Sequence, residues 1–314
     1  MIELGSGKQS LQLSTAVIGA SGVFGFSTEY ARLMDLSKLG AFVTNPITLK
    51  PRRAAEGTHV VALDSGVLIH TGLPNPGVHK THQLHAARWK NMPTPVVVHV
   101  IAANPDELVQ CVQVIDQHYG VDGIEIGIHD EFVHREVRKF IEAARSHTHL
   151  PILAQLPLNT AVQVALAAED GGADALVVAA SPRGTARDPL TGQFVGGRVY
   201  GPWLKPLGLR AVGQICARAK IPVIGAGGIF NPIDARDYIA AGAKAVQIDA
   251  VAWLRPAMVE TICRDLGGLE LTRKAGSFED EWWPGIGETA VMRAQLLPSP
   301  PPMPPVKPPP ELPR

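Results

Sequence analysis

Four side chains that can exchange protons or bind metals follow short apolar runs: His70, His99, His129 and Asp130. Imidazole titrates near neutral pH, and burial raises the pKa of a carboxyl group, so His129 or Asp130 is a candidate general acid or base. The same four groups could instead bind a divalent metal in a hydrolase or lyase. No short motif such as His-x-His supports that alternative, and we predict no metal. A third interpretation is structural, with hydrogen bonding by His99 and helix capping by His129 and Asp130.

A pair of glycines at 227 and 228 lies between an apolar run and a helical period. Glycine leaves the backbone uncrowded, so bare N–H groups can point at an anion there, and the dipole of the following helix favours negative charge. The pair therefore predicts a phosphate cradle for a phosphorylated ligand. The alternative is a tight turn between strand and helix without a ligand.

Short runs typical of β-strands alternate with amphipathic runs typical of helices, and these elements have to position the candidate site residues. Leu108, Val109, Val112 and Ile115 recur at the spacing of a helix with one apolar face. The predicted strands lie at 15–20, 41–45, 95–101, 122–128, 151–156, 174–180, 222–226 and 244–249. This alternation predicts an α/β fold, a single (β/α)8 TIM barrel of parallel strands with right-handed crossovers. The carboxyl ends of such strands form one mouth, where the four groups would meet.

Two connections are long, 46–78 after strand 2 and 181–200 after strand 6, and such loops usually cover the ligand of a barrel. We expect the barrel to span residues 1–296. Residues 297–314 should form a disordered Pro-rich tail, because ten of the last seventeen residues are proline and proline favours solvated, extended chain. The tail is either an inert end or a docking peptide. Trp282 and Trp283 are interpreted as packing residues, with a partner contact as the alternative.

Composition excludes several classes of partner. Lys plus Arg and Asp plus Glu are balanced at 29 each, and without a basic stripe we expect no binding to nucleic acid or to membrane surfaces. The three cysteines are far apart in the sequence, which predicts reduced thiols and no disulfide framework. No basic segment followed by an apolar run begins the sequence, so we expect a cytoplasmic protein.

Several motifs together resemble the dihydroorotate dehydrogenase family, in particular its soluble class 1 branch. The run 20–26 (ASGVFGF) is similar to that family's first βα loop, and 72–78 (GLPNPGV) to its substrate loop, with Pro74 where glutamine is usual. The segment from Gly201 to Pro206 and the glycine pair complete the resemblance in order. It implies FMN at the mouth of the barrel, with the phosphate held by the loops after strands 7 and 8.

The resemblance also implies roles for individual residues. Those expected to bind FMN are Ala20, Ser21, Gly22, Asn45, His99, Gln155, Ser181, Gly201, Gly227, Gly228, Asp249 and Ala250. His70 and Asn75 are expected to bind a small-molecule substrate, and Asp130 and His129 to act as acid or base.

Many of these positions depart from the family pattern. Asn45 and Gln155 replace lysines, and Asp249 with Ala250 replaces a glycine and a small hydroxyl residue. Asparagines are replaced by Ile69, His99, Gly127 and Ala180. A cation about 4 Å from a developing anion contributes about 4 kcal/mol at an effective dielectric near 20, or on the order of 90 mV for a two-electron couple. The missing cations predict a flavin that is harder to reduce.

The sequence therefore predicts a diverged FMN-dependent oxidoreductase that transfers hydride at a CH–CH bond of a small cyclic substrate other than dihydroorotate. It would act as a homodimer or with a protein partner. The rival prediction is a barrel without redox chemistry that serves as a scaffold or complex subunit.

Overall fold

The computed structural model describes residues 2–5, 10–117 and 120–275, with side chains up to residue 267. The chain divides into a compact unit, Met1–Leu271, and a second unit, Thr272–Arg314. The predicted tail and the tryptophan pair lie outside the described residues.

The strands, in chain order, are β1 (Ile2–Leu4), β2 (Leu11–Leu13), β3 (Val17–Gly19), β4 (Ala41–Val43), β5 (Val60–Leu63), β6 (Gly66–Ile69), β7 (Val96–Val100), β8 (Gly123–Gly127), β9 (Ile152–Pro157), β10 (Ala175–Ala180), β11 (Arg183–Arg187), β12 (Phe194–Tyr200), β13 (Val223–Ala226) and β14 (Ala245–Ile248). The helices are α1 (Val78–Trp89), α2 (Pro105–Asp116), α3 (His134–Arg145), α4 (Ala161–Asp170), α5 (Lys205–Cys216), α6 (Pro232–Ala240), α7 (Val251–Leu254) and α8 (Pro256–Ala275). Short 3-10 helices lie at Glu29–Arg32, Leu36–Lys38 and Pro202–Leu204.

Eight parallel strands close into a barrel in the order β10-β13-β14-β3-β4-β7-β8-β9. Seven of the eight predicted runs contain one of these strands, and the run 151–156 contains all of β9 except Pro157, so the predicted TIM barrel is confirmed. Every residue of β7 (VVVHV) is buried, as is typical of parallel strands covered on both faces. At the amino-terminal end of the strands, the hairpin β1–β2 packs Leu4, Leu11 and Leu13 onto the barrel interior.

The two long connections form a second, antiparallel sheet of four strands, β11-β12-β6-β5. We call this sheet the lid sheet. The sequence does not predict these strands, because the apolar core of the lid sheet is small. That core consists of Val61, Leu68 and Val199. The strand β6 belongs to the connection after the second barrel strand and β12 to the connection after the sixth, so their antiparallel pairing joins the two connections.

Local sequence explains where the functionally placed helices begin. Asn104 and Asn231 each accept a hydrogen bond from the third residue of α2 and α6, and proline follows each of them. Asparagine at the cap and proline at the first helical position both favour a helix start. The helix α6 therefore begins four residues after the glycine pair.

No helix among residues 2–5, 10–117 and 120–275 is long and apolar enough to span a bilayer.

The glycine pair has a steric requirement that a substitution can test. Gly228 has a φ of 70°, and an added Cβ would overlap the backbone nitrogen of Lys205. We expect Gly228→Ala to lower the free energy of unfolding by about 1–3 kcal/mol. In the matched control Gly213→Ala, within α5, an added Cβ meets nothing within 4 Å, so stability should rise by up to about 1 kcal/mol. Urea denaturation compares the two; equal effects would contradict the steric explanation.

Candidate active site

A cavity of about 420 Å³ lies between the carboxyl ends of the barrel strands and the lid sheet. The predicted site residues that line it are Ala20, Ser21, Gly22, Asn45, His70, His99, His129, Asp130, Gln155, Ser181 and Asp249. Gly201, Gly227, Gly228, Ala250 and Asn75 are not among the lining residues. Barrel closure therefore brings most of the predicted set to one mouth.

The floor of the cavity is organised by a carboxylate that the sequence analysis missed. Glu125 is fully buried, and its Oε1 accepts a hydrogen bond of 2.7 Å from Nδ1 of His99. Gln155 donates to the same oxygen at 3.3 Å, and Gln247 donates to Oε2. A buried carboxylate is tolerated only when its oxygens are hydrogen-bonded. The available signal was a glutamate inside an otherwise apolar strand, β8.

The imidazole of His99 takes space that a side chain at position 127 would need. A Cβ added to Gly127 would lie 3.0 Å from Nε2 of His99 and 3.3 Å from Ile101. The two departures from the family pattern are therefore physically coupled. Nδ1 of His99 donates its proton to the carboxylate of Glu125, so Nε2 is the ring nitrogen that lies next to Gly127.

Two side-chain carbonyl oxygens at the cavity are buried without a hydrogen bond among the described residues. They are Oδ1 of Asn45 and Oε1 of Gln247, and both residues line the cavity. A buried acceptor without a partner costs about 1–3 kcal/mol. A ligand that carries N–H or O–H donors would remove this cost.

Asp130 does not have the surroundings of an acid or base. Arg198 donates to both of its oxygens, at 2.8 and 2.7 Å, and Nε of Arg183 donates at 2.9 Å. Burial raises the pKa of Asp130, but these hydrogen bonds and charges outweigh it and lower the pKa below its usual range. A carboxylate so held is a poor base. Asp130 therefore joins the barrel to the lid sheet, and its role as an acid or base stays a prediction.

Substitution of Asp130 tests this contact with the lid sheet. Asp130→Asn removes the charge that pairs with both arginines, so hydrogen exchange should become faster in β11 and β12. Because the pKa is lowered in the folded state, the wild-type contribution is present above about pH 4 and is lost only as the pH falls through that lower value. Asp64→Asn, an exposed acid in the lid-sheet turn, is the control. Exchange that is equal in both variants would contradict the proposed connection.

His129 and His70 occupy different settings. Nε2 of His129 donates to the carbonyl oxygen of Ala102 at 2.6 Å, and its ring packs on Phe132 at 4.7 Å. The proton therefore resides on Nε2, and Nδ1 can accept one. His70 is exposed at the rim of the cavity.

The four groups do not form a metal centre. Nδ1 of His99 and both oxygens of Asp130 already have partners, and no cluster of three or more metal-binding side chains occurs in the described part of the chain. This geometry gives the metal hydrolase or lyase alternative no support.

Asn75 shapes the loop between the second barrel strand and α1. Its Oδ1 accepts from the amides of Thr48 at 3.2 Å and Gly77 at 2.9 Å, and its Nδ2 donates to the carbonyl of Leu73 at 3.0 Å. These hydrogen bonds show that the side chain of Asn75 supports the backbone of this loop. Direct substrate contact by Asn75 stays a prediction.

Asp249, which follows β14, is 8% exposed and lines the cavity. Its Oδ1 accepts from the amide of Ala250 at 2.5 Å, and no cation pairs with it within the described ranges. Burial raises the pKa of Asp249 to about 6. The burial of the neighbouring Tyr200, and secondly the charge of Asp249, raise the pKa of Tyr200 to about 12.

The raised pKa of Asp249 implies that its ionisation lowers the free energy of unfolding. Ionised Asp249 destabilises the fold, and the cost grows as the pH rises from about 4 to 6 and is complete above about pH 6. We expect Asp249→Asn to raise the free energy of unfolding by about 3 kcal/mol at pH 8 and by about 1 kcal/mol at pH 4.5. Asp170→Asn at the end of α4 should show neither gain. Denaturation at both pH values measures the difference; a gain that does not depend on pH would contradict the assignment.

The surroundings of the glycine pair are already neutralised. Nζ of Lys205 pairs with Asp234 and Asp237, each at 2.6 Å, and the hydroxyl of Tyr238 donates to the carbonyl of Gly227 at 2.8 Å. Together with Asp249, this leaves a negative charge and no unpaired lysine where the phosphate of FMN was predicted. The residues present fit the ring of a flavin, through the amides of the cavity, but not a dianionic phosphate.

Fold and site together define a (β/α)8 barrel whose ligand cavity lies at the carboxyl ends of the strands, beneath a lid. The sequence profile of the dihydroorotate dehydrogenase family matches residues 8–269. The chain therefore belongs to the dihydroorotate dehydrogenase family, as predicted.

Curated relatives agree with this assignment. The chain is 33% identical over 282 residues to the catalytic subunit of dihydroorotate dehydrogenase B (NAD(+)) from Trichlorobacter lovleyi, with coverage of 84% of this chain and 91% of the relative. The subunits of the same name from Desulforamulus reducens and Maridesulfovibrio salexigens are 32% and 33% identical. The alignments cover 82% and 86% of this chain and 90% and 94% of those relatives.

Proposed function

We propose that this protein is a flavin-dependent oxidoreductase that transfers hydride at a CH–CH bond of a small cyclic substrate. Family membership supports the class of chemistry. The single observation that carries the proposal is the pair of buried, unsatisfied carbonyl oxygens of Asn45 and Gln247 at the cavity. A flavin offers one N–H donor on its oxidised ring, hydroxyl donors on its side chain and carbonyl acceptors, and when bound it supplies a two-electron acceptor for hydride.

Residues of the floor would hold a bound flavin. Asn45 and Gln247 would accept from its ring N–H and from a hydroxyl of its side chain, and the amide of Gln155, which donates to Glu125 at 3.3 Å, would donate its second N–H to a ring carbonyl. Gly22 has a φ of 81°, and an added Cβ there meets nothing within 4 Å. The first βα loop therefore leaves the cavity open for a flat ligand.

His129 is the residue we assign to proton transfer. Its Nε2 is occupied by the carbonyl of Ala102, so Nδ1 is the atom that takes a proton from the substrate or returns one to it. Packing on Phe132 and Phe140 fixes the plane of the ring. A positioned imidazole of this kind typically contributes about 100- to 10,000-fold to a rate.

Dihydroorotate is not the substrate that this cavity suits. Ile69, Gly127 and Ala180 all line it, and none of their side chains can make the hydrogen bonds that the resemblance assigns to asparagines. A site built to hydrogen-bond a polar ring loses discrimination and affinity when those groups are missing. The wall instead suits a less polar cyclic compound, with His70 at the rim.

The charges around the floor predict a low reduction potential. The two expected lysines are absent, and Glu125 places a buried negative charge beneath Gln155. A nearby anion opposes the anionic reduced flavin as a nearby cation favours it. Electrons leaving such a flavin have a strong driving force toward an acceptor.

An assay of flavin capture tests the proposal without knowledge of the substrate. The purified protein should bind added flavin, the bound flavin should be reduced by dithionite, and dihydroorotate should leave it oxidised. Potentiometry should show a higher midpoint potential in Gln155→Lys, by up to about 90 mV. Gln155→Met, which adds no charge, should not show this rise.

Protein that remains colourless with added flavin would overturn the proposal in favour of the scaffold alternative. Oxidation of dihydroorotate at a rate typical of an enzyme would overturn the substrate assignment alone.

The relatives are named as catalytic subunits of an NAD(+)-linked enzyme, which supports a partner protein that takes the electrons. We propose that this chain, alone or as a homodimer, passes its electrons to a separate protein.

A further inference from the structure

We propose that Asp249 takes the place of the ligand's terminal anion, so that the site selects a flavin whose side chain ends in a hydroxyl group over one that ends in a phosphate. This inference rests on the proposed function, since it specifies the form of flavin that the cavity holds. It differs from the FMN predicted from the resemblance.

The position of Asp249 carries the inference. It directly follows β14, and together with Ala226 at the end of β13 it lines the cavity. The loops after these two strands are where barrels of this kind hold a phosphate. Asp249 is 8% exposed, so its carboxylate lies in the wall of the cavity and does not extend into solvent. An anion belonging to the protein thus occupies the neighbourhood of the expected anion of the ligand.

The hydrogen bond of Asp249 strengthens this conclusion. Its Oδ1 accepts from the amide of Ala250 at 2.5 Å, and Ala250 is one of the residues that the resemblance places near the phosphate of FMN. The amide is therefore taken by a carboxylate. A hydroxyl group can donate to this carboxylate in a charge-assisted hydrogen bond, whereas a dianionic phosphate has no proton to donate and repels it.

No neighbouring cation offsets a second negative charge. Tyr200 from β12 and Tyr238 from α6 face Asp249 as neutral phenols whose pKa values are raised, chiefly by burial. Arg198 is bound to Asp130 and to the carbonyl of Ser181. Lys205 is bound to two carboxylates. The positive charges of Arg198 and Lys205 thus already have anionic partners.

Competing flavins provide the test. Affinities for riboflavin and FMN are measured by quenching of flavin fluorescence at pH 8, with the wild-type protein, Asp249→Asn and the distant control Asp170→Asn. We expect wild type and the control to bind riboflavin about tenfold or more tightly than FMN, which corresponds to about 1.4 kcal/mol. In Asp249→Asn the preference should disappear, because the amide carries no charge.

A second measurement uses protonation in place of a substitution. The preference of wild type for riboflavin should narrow at pH 5.5, where Asp249 is partly protonated, although the phosphate itself also takes up a proton near pH 6. Asp249→Asn separates the two causes, since its preference should already be absent at pH 8. If that variant does not fold, the ratio of the two wild-type affinities at pH 8 still decides.

The outcomes distinguish this inference from the proposed function. Equal or tighter binding of FMN by wild type, or a preference unchanged in Asp249→Asn, would overturn the role of Asp249 and leave a flavoprotein. Failure of both wild type and Asp249→Asn to bind either flavin would overturn the proposed function and this inference with it.

Discussion

The structure of the candidate site depends on one buried carboxylate at the centre of the barrel mouth. Glu125 has no exposed surface, and an isolated charge in that position would be very unfavourable. Donors from three other strands, His99, Gln155 and Gln247, satisfy it. The same bonds fix the direction of those side chains, so the need to solvate one charge orders the floor of the cavity.

A second charge arrangement holds the cover in place. The guanidinium groups of Arg183 and Arg198 extend from the lid sheet to Asp130 at the end of a barrel strand. A bidentate pair of this geometry is specific as well as favourable. Asp130, which the sequence predicts as an acid or base, thus forms a contact between the barrel and the lid sheet, and our proposal assigns proton transfer to the neighbouring His129.

Taken together, the charges of the mouth differ from those that the family resemblance implies. Asn45 and Gln155 stand where the resemblance implies lysines, and Asp249 adds a buried carboxylate. Each change acts in the same direction, away from binding and stabilising negative charge. The fold of the family is thus retained with a cavity of altered electrostatic character.

The sequence by itself determined the barrel and the approximate location of the site. Strand and helix periodicity is a local property, so all eight barrel strands could be read from runs of a few residues. The positive φ values of Gly227 and Gly228 likewise follow from a glycine pair at a strand-to-helix turn.

Only the tertiary structure decided which side chains are paired with one another. Arg183 and Arg198 lie 53 and 68 positions from Asp130, and Gln247 lies 122 positions from Glu125. Partners at such distances are selected by barrel closure and by the pairing of two separate loops in the lid sheet, which no local pattern encodes. The protonation state and hydrogen-bond role of an ionisable group depend on those partners and on burial, so the roles of Asp130, Glu125 and Asp249 became visible only in the folded chain.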